Sequence, residues 1–238
     1  MSILNFIRKA LAHTNVRPLS KEDVDALRAE LMQLRPTKEQ NLRGARERGE
    51  SIDTFVFRDA TEADIPALAQ VHVTAWNATY PGTNNPPTVA LREWQWRKAF
   101  TKENDGSWFC VLIERPDKGL VGFARGRRSD HPDYQGELNK IYLLPEYYRL
   151  GLGRRLMGHV ARRFLARGIT SMWLCGEADN PTAAFHEALG GRNMTNDDGT
   201  TNYGNFAWGD LQRLAEICPI EAPTDSSLRS ERRAGGSG

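Results

Sequence analysis

Between Tyr148 and Arg155 the chain reads Tyr-Arg-Leu-Gly-Leu-Gly-Arg-Arg, two glycines one residue apart among three arginines. Gly151 and Gly153 let the backbone approach a bulky group closely and take positive φ where needed. Arg149, Arg154 and Arg155 bring fixed cations to the same place. Apolar residues then recur at i+4 (Leu152, Leu156, Val160 and Phe164), so the glycines open a helix. The first N–H groups of a helix have no intrahelical partner, and its dipole favours negative charge there. Types and spacing therefore predict a phosphate or pyrophosphate cradle, although a Gly-x-Gly before a helix is also an ordinary tight turn. The residue three after Gly153 is Leu156, which breaks a dinucleotide fingerprint, and no Gly-Lys-Ser/Thr run occurs.

The cradle needs a scaffold. Leu138, Ile141, Leu143 and Leu144 with Tyr142 read as a strand that Pro145 stops, since proline has no N–H for a ladder. Strand, glycine turn and helix thus follow one another within Glu137 to Gly158. Gly168 caps the helix C-terminus and Thr170 to Cys175 reads as the next strand, so the crossover makes a parallel pair with right-handed connection. Upstream, Thr54 to Arg58 is the opening strand. Thr61 and Asp64 form a capping box for a helix carrying Ile65, Leu68, Ala69, Val73 and Trp76. Tyr80-Pro81-Gly82 begins a polar, proline-rich loop, and Trp94, Trp96 and Phe100 mark a second helix. Ser107 to Glu114 and Leu120 to Arg127 are strands joined by Pro116-Asp117-Lys118-Gly119. Downstream, Pro181 sits at the first position of a helix, and Asp197-Asp198-Gly199 turns a hairpin between Asn193–Asn196 and Thr201–Trp208.

Length and composition set the frame. The 238 residues suit one domain with extensions. With 32 Lys and Arg against 30 Asp and Glu, no global field draws the chain to nucleic acid or membrane. The arginines at 154, 155, 162, 163 and 167 are what a helix with its apolar stripe on a sheet leaves in solvent. Three cysteines without Cys-x-x-Cys spacing suggest neither disulfides nor zinc; Cys110 and Cys175, inside apparent strands, read as small buried hydrophobes. No metal is expected. The apolar run Ile3 to Ile7 precedes Arg8 and Lys9, the wrong order for a secretory signal, and no run nears ~18 apolar residues, so the expectation is a cytoplasmic protein.

The N-terminal part reads as an extension over residues 1–52. Ile3 to Leu11 suggests a short amphipathic helix. Ser20 and Asp23 box the start of a second, whose stripe Val24, Leu27, Leu31 and Leu34 docks on the parent domain or on a second copy in a homodimer. Lys38 to Glu50, charged and poor in apolar residues, reads as a solvated linker. The main domain is expected over 53–211 and a disordered tail over 212–238.

Ile141-x-Leu143-x-Pro145 followed by Tyr148-Arg149-Leu150-Gly151-Leu152-Gly153 resembles the acetyl-coenzyme A signature of the GNAT superfamily of N-acetyltransferases, Gln/Arg-x-x-Gly-x-Gly/Ala. Val71 to Gly82 is similar to the first helix and substrate-side loop of many bacterial members. Asn180 to Gly191 resembles the Asn-Pro-x-x-x-Phe-Tyr-Glu-x-Leu-Gly segment. The likeness runs from about Phe55 to Leu211 and departs at Tyr148, where Gln or Arg is usual, and at His186, where Tyr is usual.

The resemblance implies a mixed α/β fold: a mostly antiparallel central sheet with one splayed parallel pair, helices on both faces, and the pantetheine arm of acetyl-CoA in the gap. Backbone groups of Ile141, Tyr142 and Leu143 would pair with that arm. The pyrophosphate would rest on Tyr148, Arg149, Leu150, Gly151, Leu152, Gly153 and Arg154, with Asn180 and Phe185 in the cofactor wall. Transfer to an amine needs a deprotonated nitrogen, a donor at the thioester oxygen and a way to quench the thiolate. The expected groups are Glu137, the N–H of Leu143 and His186 as imidazolium. Trp76, Tyr80, Asp130 and Glu137, with Asp133 a weaker candidate, would meet the acceptor, a small-molecule amine such as an aminoglycoside or polyamine, or a peptide amine. The rival reading is an acyl-CoA-binding regulatory module without turnover.

Overall fold

The computed structural model describes residues 20–50, 54–102, 105–115 and 117–221. The stretches 1–19, with the expected helix from Ile3 to Leu11, and 222–238, with most of the expected tail, lie outside them.

Seven strands form one sheet in the order β1-β2-β3-β4-β5-β7-β6. They are β1 (Val56–Asp59), β2 (Trp108–Arg115), β3 (Gly119–Arg128), β4 (Gly136–Leu143), β5 (Met172–Leu174), β6 (Arg192–Thr195) and β7 (Thr201–Trp208). Every neighbouring pair is antiparallel except β4 and β5. On one face lie α3 (Ile65–Thr79) and α4 (Val89–Lys102), closing a core of Ile65, Leu68, Trp96, Leu112 and Phe123. On the other lies α5 (Leu152–Leu165), whose Leu152, Leu156, Val160 and Phe164 are fully buried. The i+4 stripe is the part of the sequence that meets the sheet, as its period requires. A short helix, α6 (Ala183–Ala188), follows β5.

The parallel pair is the feature that matters for function. β4 and β5 are in register only at Gly136↔Met172 and Glu137↔Trp173. Beyond Glu137, β4 continues beside β3 alone, and its register against β3 slips where Gly126 faces Leu138 but Arg125 faces Lys140. Asn139 is thus an extra residue in β4, a bulge that bends the strand away from β5.

Both termini of the domain depart from expectation. Lys38 to Glu50 is not a solvated linker: Lys38–Glu47 forms a helix, α2, with a capping box between Thr37 and Gln40. Buried Asn41 donates through Nδ2 to the carbonyls of Pro145 and Tyr148, both at 2.9 Å, and Glu50 pairs with Arg48 and Arg115. Apart from Ala45 and Leu42, which reach the main core, this docking rests on polar bonds, so hydrophobic periodicity does not report it. Ahead of it, α1 (Lys21–Gln33) starts at the expected Ser20–Asp23 box and buries Val24, Leu27 and Leu31; Leu34, the fourth of the stripe, is 67% exposed.

The tail does not begin at 212. Leu211–Ile217 is a helix, α7, capped by Asp210 and burying Leu211, Leu214 and Ala215. It packs on α5, where a Cβ on Gly158 would lie 2.2 Å from the Cys218 carbonyl. The Leu211, Leu214, Ala215, Cys218 spacing is helical, but the segment is short and its apolar face has meaning only against α5. Cys175 is a smaller correction: it falls just past β5 and is exposed, whereas Cys110 and Cys218 are buried.

Candidate active site

The residues of the opening motif meet at the mouth of the β4–β5 gap. Gly151, at φ 84°, is the N-cap of α5, a conformation that costs glycine little. The Arg155 N–H reaches the Gly151 carbonyl at 3.2 Å, and the N–H groups before it in the helix have no intrahelical acceptor. Arg149 also takes positive φ, 61°. Arg149 and Arg154 are exposed there. Arg155 does not join them: it donates to the Ile220 carbonyl at 3.1 Å and covers the Phe57 ring at 4.6 Å.

A cavity of about 440 Å³ opens behind this loop, lined by Ile141, Tyr142 and Leu143, by Tyr148, Arg149, Gly151, Gly153 and Arg154, and by Phe185 and His186. The Leu144 N–H bonds to the Val121 carbonyl at 2.9 Å. Alternation along β4 therefore turns the backbone groups of Ile141 and Leu143 away from β3 and into the gap, where β5 no longer pairs. A Cβ on Gly153 would sit 3.3 Å from the Phe185 ring, so glycine keeps the passage between loop and helix open. A row of unpaired strand groups ending at a cationic helix N-terminus fits a ligand with an amide-bearing arm and a phosphorylated end.

Other expected residues are placed differently. Leu150 and Leu152 are in the core, which leaves only their backbone for a ligand. Asn180 donates to the Tyr80 hydroxyl at 3.1 Å and accepts from the Thr182 N–H and hydroxyl, tying the end of α3 to the start of α6. Tyr80 packs on Trp76, ring centres 5.2 Å apart. Asp130 and Asp133 are exposed on the loop between β3 and β4.

Glu137 stands at the vertex of the splay. Gly136 faces α5, where an added Cβ would meet Phe164, so Glu137 points to the α3 face. It is 8% exposed. Its carboxylate accepts from Arg127 Nε at 2.8 Å and Nη2 at 2.6 Å, and from Asn139 Nδ2 at 2.8 Å. The bulged residue thus helps to orient the carboxylate. Lys140 shares this face; burial, then Arg125 and Arg92, push its ammonium down to about 8.

His186 lies in the cavity wall, 3% exposed, among Phe185, Phe206 and Trp208. Burial pushes its pKa down to about 4. The ring is therefore neutral near pH 7, and the imidazolium expected as a proton donor is not the form this site holds. His72 is a core residue, packed edge-on against Trp96 and Phe123 and tilted against Tyr142. Sequence reasoning missed Met32 and Arg35, which also line the cavity. No local signal marks them, because they come from the segment ahead of the domain.

The model of the acetyltransferase (GNAT) family matches residues 68–190. The chain belongs to this family. It is an acyltransferase, and its acetyl donor is acetyl-coenzyme A. It is 33% identical over 144 residues to the Uncharacterized N-acetyltransferase YuaI of Bacillus subtilis (strain 168), covering 59% of this chain and 82% of that one. It is 29% identical over 140 residues to the Uncharacterized protein ML0378 of Mycobacterium leprae (strain TN), covering 58% of this chain but 34% of the relative. Among solved structures, an acetyltransferase of the GNAT family from Staphylococcus aureus Mu50 aligns with a TM-score of 0.54 at 14% identity, over 66% of this chain and 99% of that one. Spermidine N-acetyltransferase from Vibrio cholerae, in complex with CoA and spermine, aligns at 0.50 and 15% identity, over 68% and 98%. At such identities the likeness is one of fold. In this GNAT chain α1, α2 and α7 all lie outside the matched region. Among the described residues no cluster of His, Cys, Asp and Glu suits a metal ion, and no helix is long and apolar enough to cross a membrane.

Proposed function

We propose that the chain transfers the acetyl group of acetyl-CoA directly to the primary amine of a small molecule or a peptide. The observation that carries this is the splay of β4 from β5 with Glu137 at its vertex: one opening presents backbone donors on the α5 side and a buried carboxylate on the α3 side. When bound, acetyl-CoA supplies an acetyl thioester. The chain's residues do the rest. Arg149, Arg154 and the N–H groups opening α5 hold the phosphates. The gap-facing groups of Ile141 and Leu143 align the arm as a strand would, and the Leu143 N–H donates to the thioester oxygen, where negative charge grows during transfer. Glu137 orients the incoming amine and receives its proton, directly or through one water. Trp76 and Tyr80 shape the acceptor side. A thiolate is a good leaving group, so a neutral His186 acts as part of the wall.

Release of free thiol from acetyl-CoA, measured against a panel of aminoglycosides, polyamines, amino acids and short peptides, tests this reading. Lys140 and Arg92 on the α3 face make neutral and acidic amines as important in the panel as polycations. Turnover on one class, lost in Glu137→Gln, is the expected result. Tight acetyl-CoA binding without turnover on any amine would instead favour the regulatory module.

A further inference from the structure

Arg35 lies on the turn between α1 and α2, more than thirty residues ahead of the region that matches the family. Its guanidinium covers the Tyr148 ring, 4.1 Å from the centroid, and it lines the same cavity as Arg149, Gly151 and Arg154. Its Nε is buried and has no hydrogen-bond partner among the described residues. No carboxylate among them forms an ion pair with it. A cation over an aromatic face is attracted by the ring quadrupole, but the contact leaves the in-plane N–H donors free. These donors, in their fixed fork, match a phosphate.

The turn that carries Arg35 is held at both ends. On its N-terminal side, Arg28 donates to the Ala178 carbonyl at 3.0 Å and the Tyr203 carbonyl at 2.7 Å. On its C-terminal side, Asn41 bonds the Pro145 and Tyr148 carbonyls. Position 148 is also where the resemblance expects Gln or Arg and this chain has Tyr. The aromatic ring supplies no cation of its own, yet it seats one that arrives from elsewhere in the chain.

We propose that Arg35 is a phosphate-binding residue of the acetyl-CoA site, delivered by the N-terminal helices and seated on Tyr148, so that α1 forms an added wall of the cofactor cleft. This rests on acetyl-CoA as the donor. The chemistry recognised is a phosphate group, either the pyrophosphate or the 3′-phosphate.

Calorimetric titration of the full chain tests it, using CoA, dephospho-CoA and, in displacement format, pantetheine. Arg35→Gln is expected to weaken CoA at least tenfold and to leave pantetheine unchanged within twofold, while Arg35→Lys recovers part of the loss. An equal loss with dephospho-CoA assigns the contact to the pyrophosphate; no loss with it assigns the 3′-phosphate, and either supports the proposal. Tyr148→Leu, which removes the seat and keeps the charge, is expected to weaken CoA as well and serves if Arg35→Gln does not fold. CoA affinity within twofold of wild type in Arg35→Gln would overturn the proposal, as would an equal loss with pantetheine. Wild-type protein that binds no CoA would overturn the cofactor assignment itself, an outcome separate from any effect of Arg35.

Discussion

Glu137 and Trp173 are the last residues at which β4 and β5 run side by side, and the carboxylate of the first is gripped there by Arg127 and Asn139. The end of the ladder and the only carboxylate we assign to acceptor chemistry thus coincide. Glu137→Gln keeps the shape but loses the charge. It should lower kcat by about 100-fold, the usual range for a positioned proton acceptor, and leave CoA affinity within about twofold. Steady-state kinetics on the best acceptor, with CoA titration alongside, checks both. An unchanged kcat would remove Glu137 from the chemistry.

Gly153 faces the Phe185 ring at a distance where a methyl group would touch it. Gly153→Ala should raise the acetyl-CoA KM about tenfold by narrowing the passage, with little loss of fold stability, since alanine favours a helix more than glycine does. A KM unchanged in a variant of normal Tm would show that the cofactor does not pass there.

His186 titrates near 4 in the fold and near 6.5 in an unfolded chain. Between these values the unfolded state binds a proton that the folded state does not. Stability is therefore full above about pH 6.5 and falls as pH drops toward 4, by up to about 3 kcal/mol from this residue. Denaturant unfolding from pH 7.5 to 4.5 should show a shallower fall in His186→Phe than in wild type. In the activity profile between pH 6 and 8, no limb should vanish on substituting His186; one that did would restore the imidazolium donor.

Gly158 and Cys218 bring α5 and α7 into backbone contact. Gly158→Ala forces the helices apart and should cost about 2–3 kcal/mol, as overpacking does, with a Tm lower by about 5–10 °C. Truncation after Leu211 should destabilise more, because it exposes the face of α5 that α7 covers. Thermal melts of both variants would show whether α7 is integral to the domain; a truncation that melts like the full chain would reinstate the boundary at 211.

Asn41 donates to two carbonyls, of Pro145 and Tyr148, just ahead of the loop that carries Gly151 and Gly153. Asn41→Ala leaves both without that donor and should cost about 1–3 kcal/mol. Because those carbonyls flank the cradle, CoA affinity should fall as well, by about three- to tenfold. Loss of stability with CoA affinity intact would mean that α2 braces the fold without tuning the site.

Much of this site was legible along the chain because its chemistry is local. The strand β4 (Gly136–Leu143), the turn at Gly151 and Gly153 and the stripe of α5 follow one another closely, and each has a periodicity or a backbone requirement of its own. The capping boxes at Ser20 and Thr61 and the parallel crossover to β5 were legible for the same reason. What lay outside that reach depends on partners far away in sequence. Neutral His186 is set by the burial that Phe206 and Trp208 impose, and the cover on α5 by a short helix whose apolar face makes sense only in place. Asn41 meets Tyr148 107 residues on, and Arg28 meets Ala178 150 residues on. These bonds carry Arg35 to the wall of the cavity beside Gly151 and Gly153. Polar side chains bonding to distant carbonyls leave no period and no turn signature, so only the tertiary structure decided where the N-terminal helices lie.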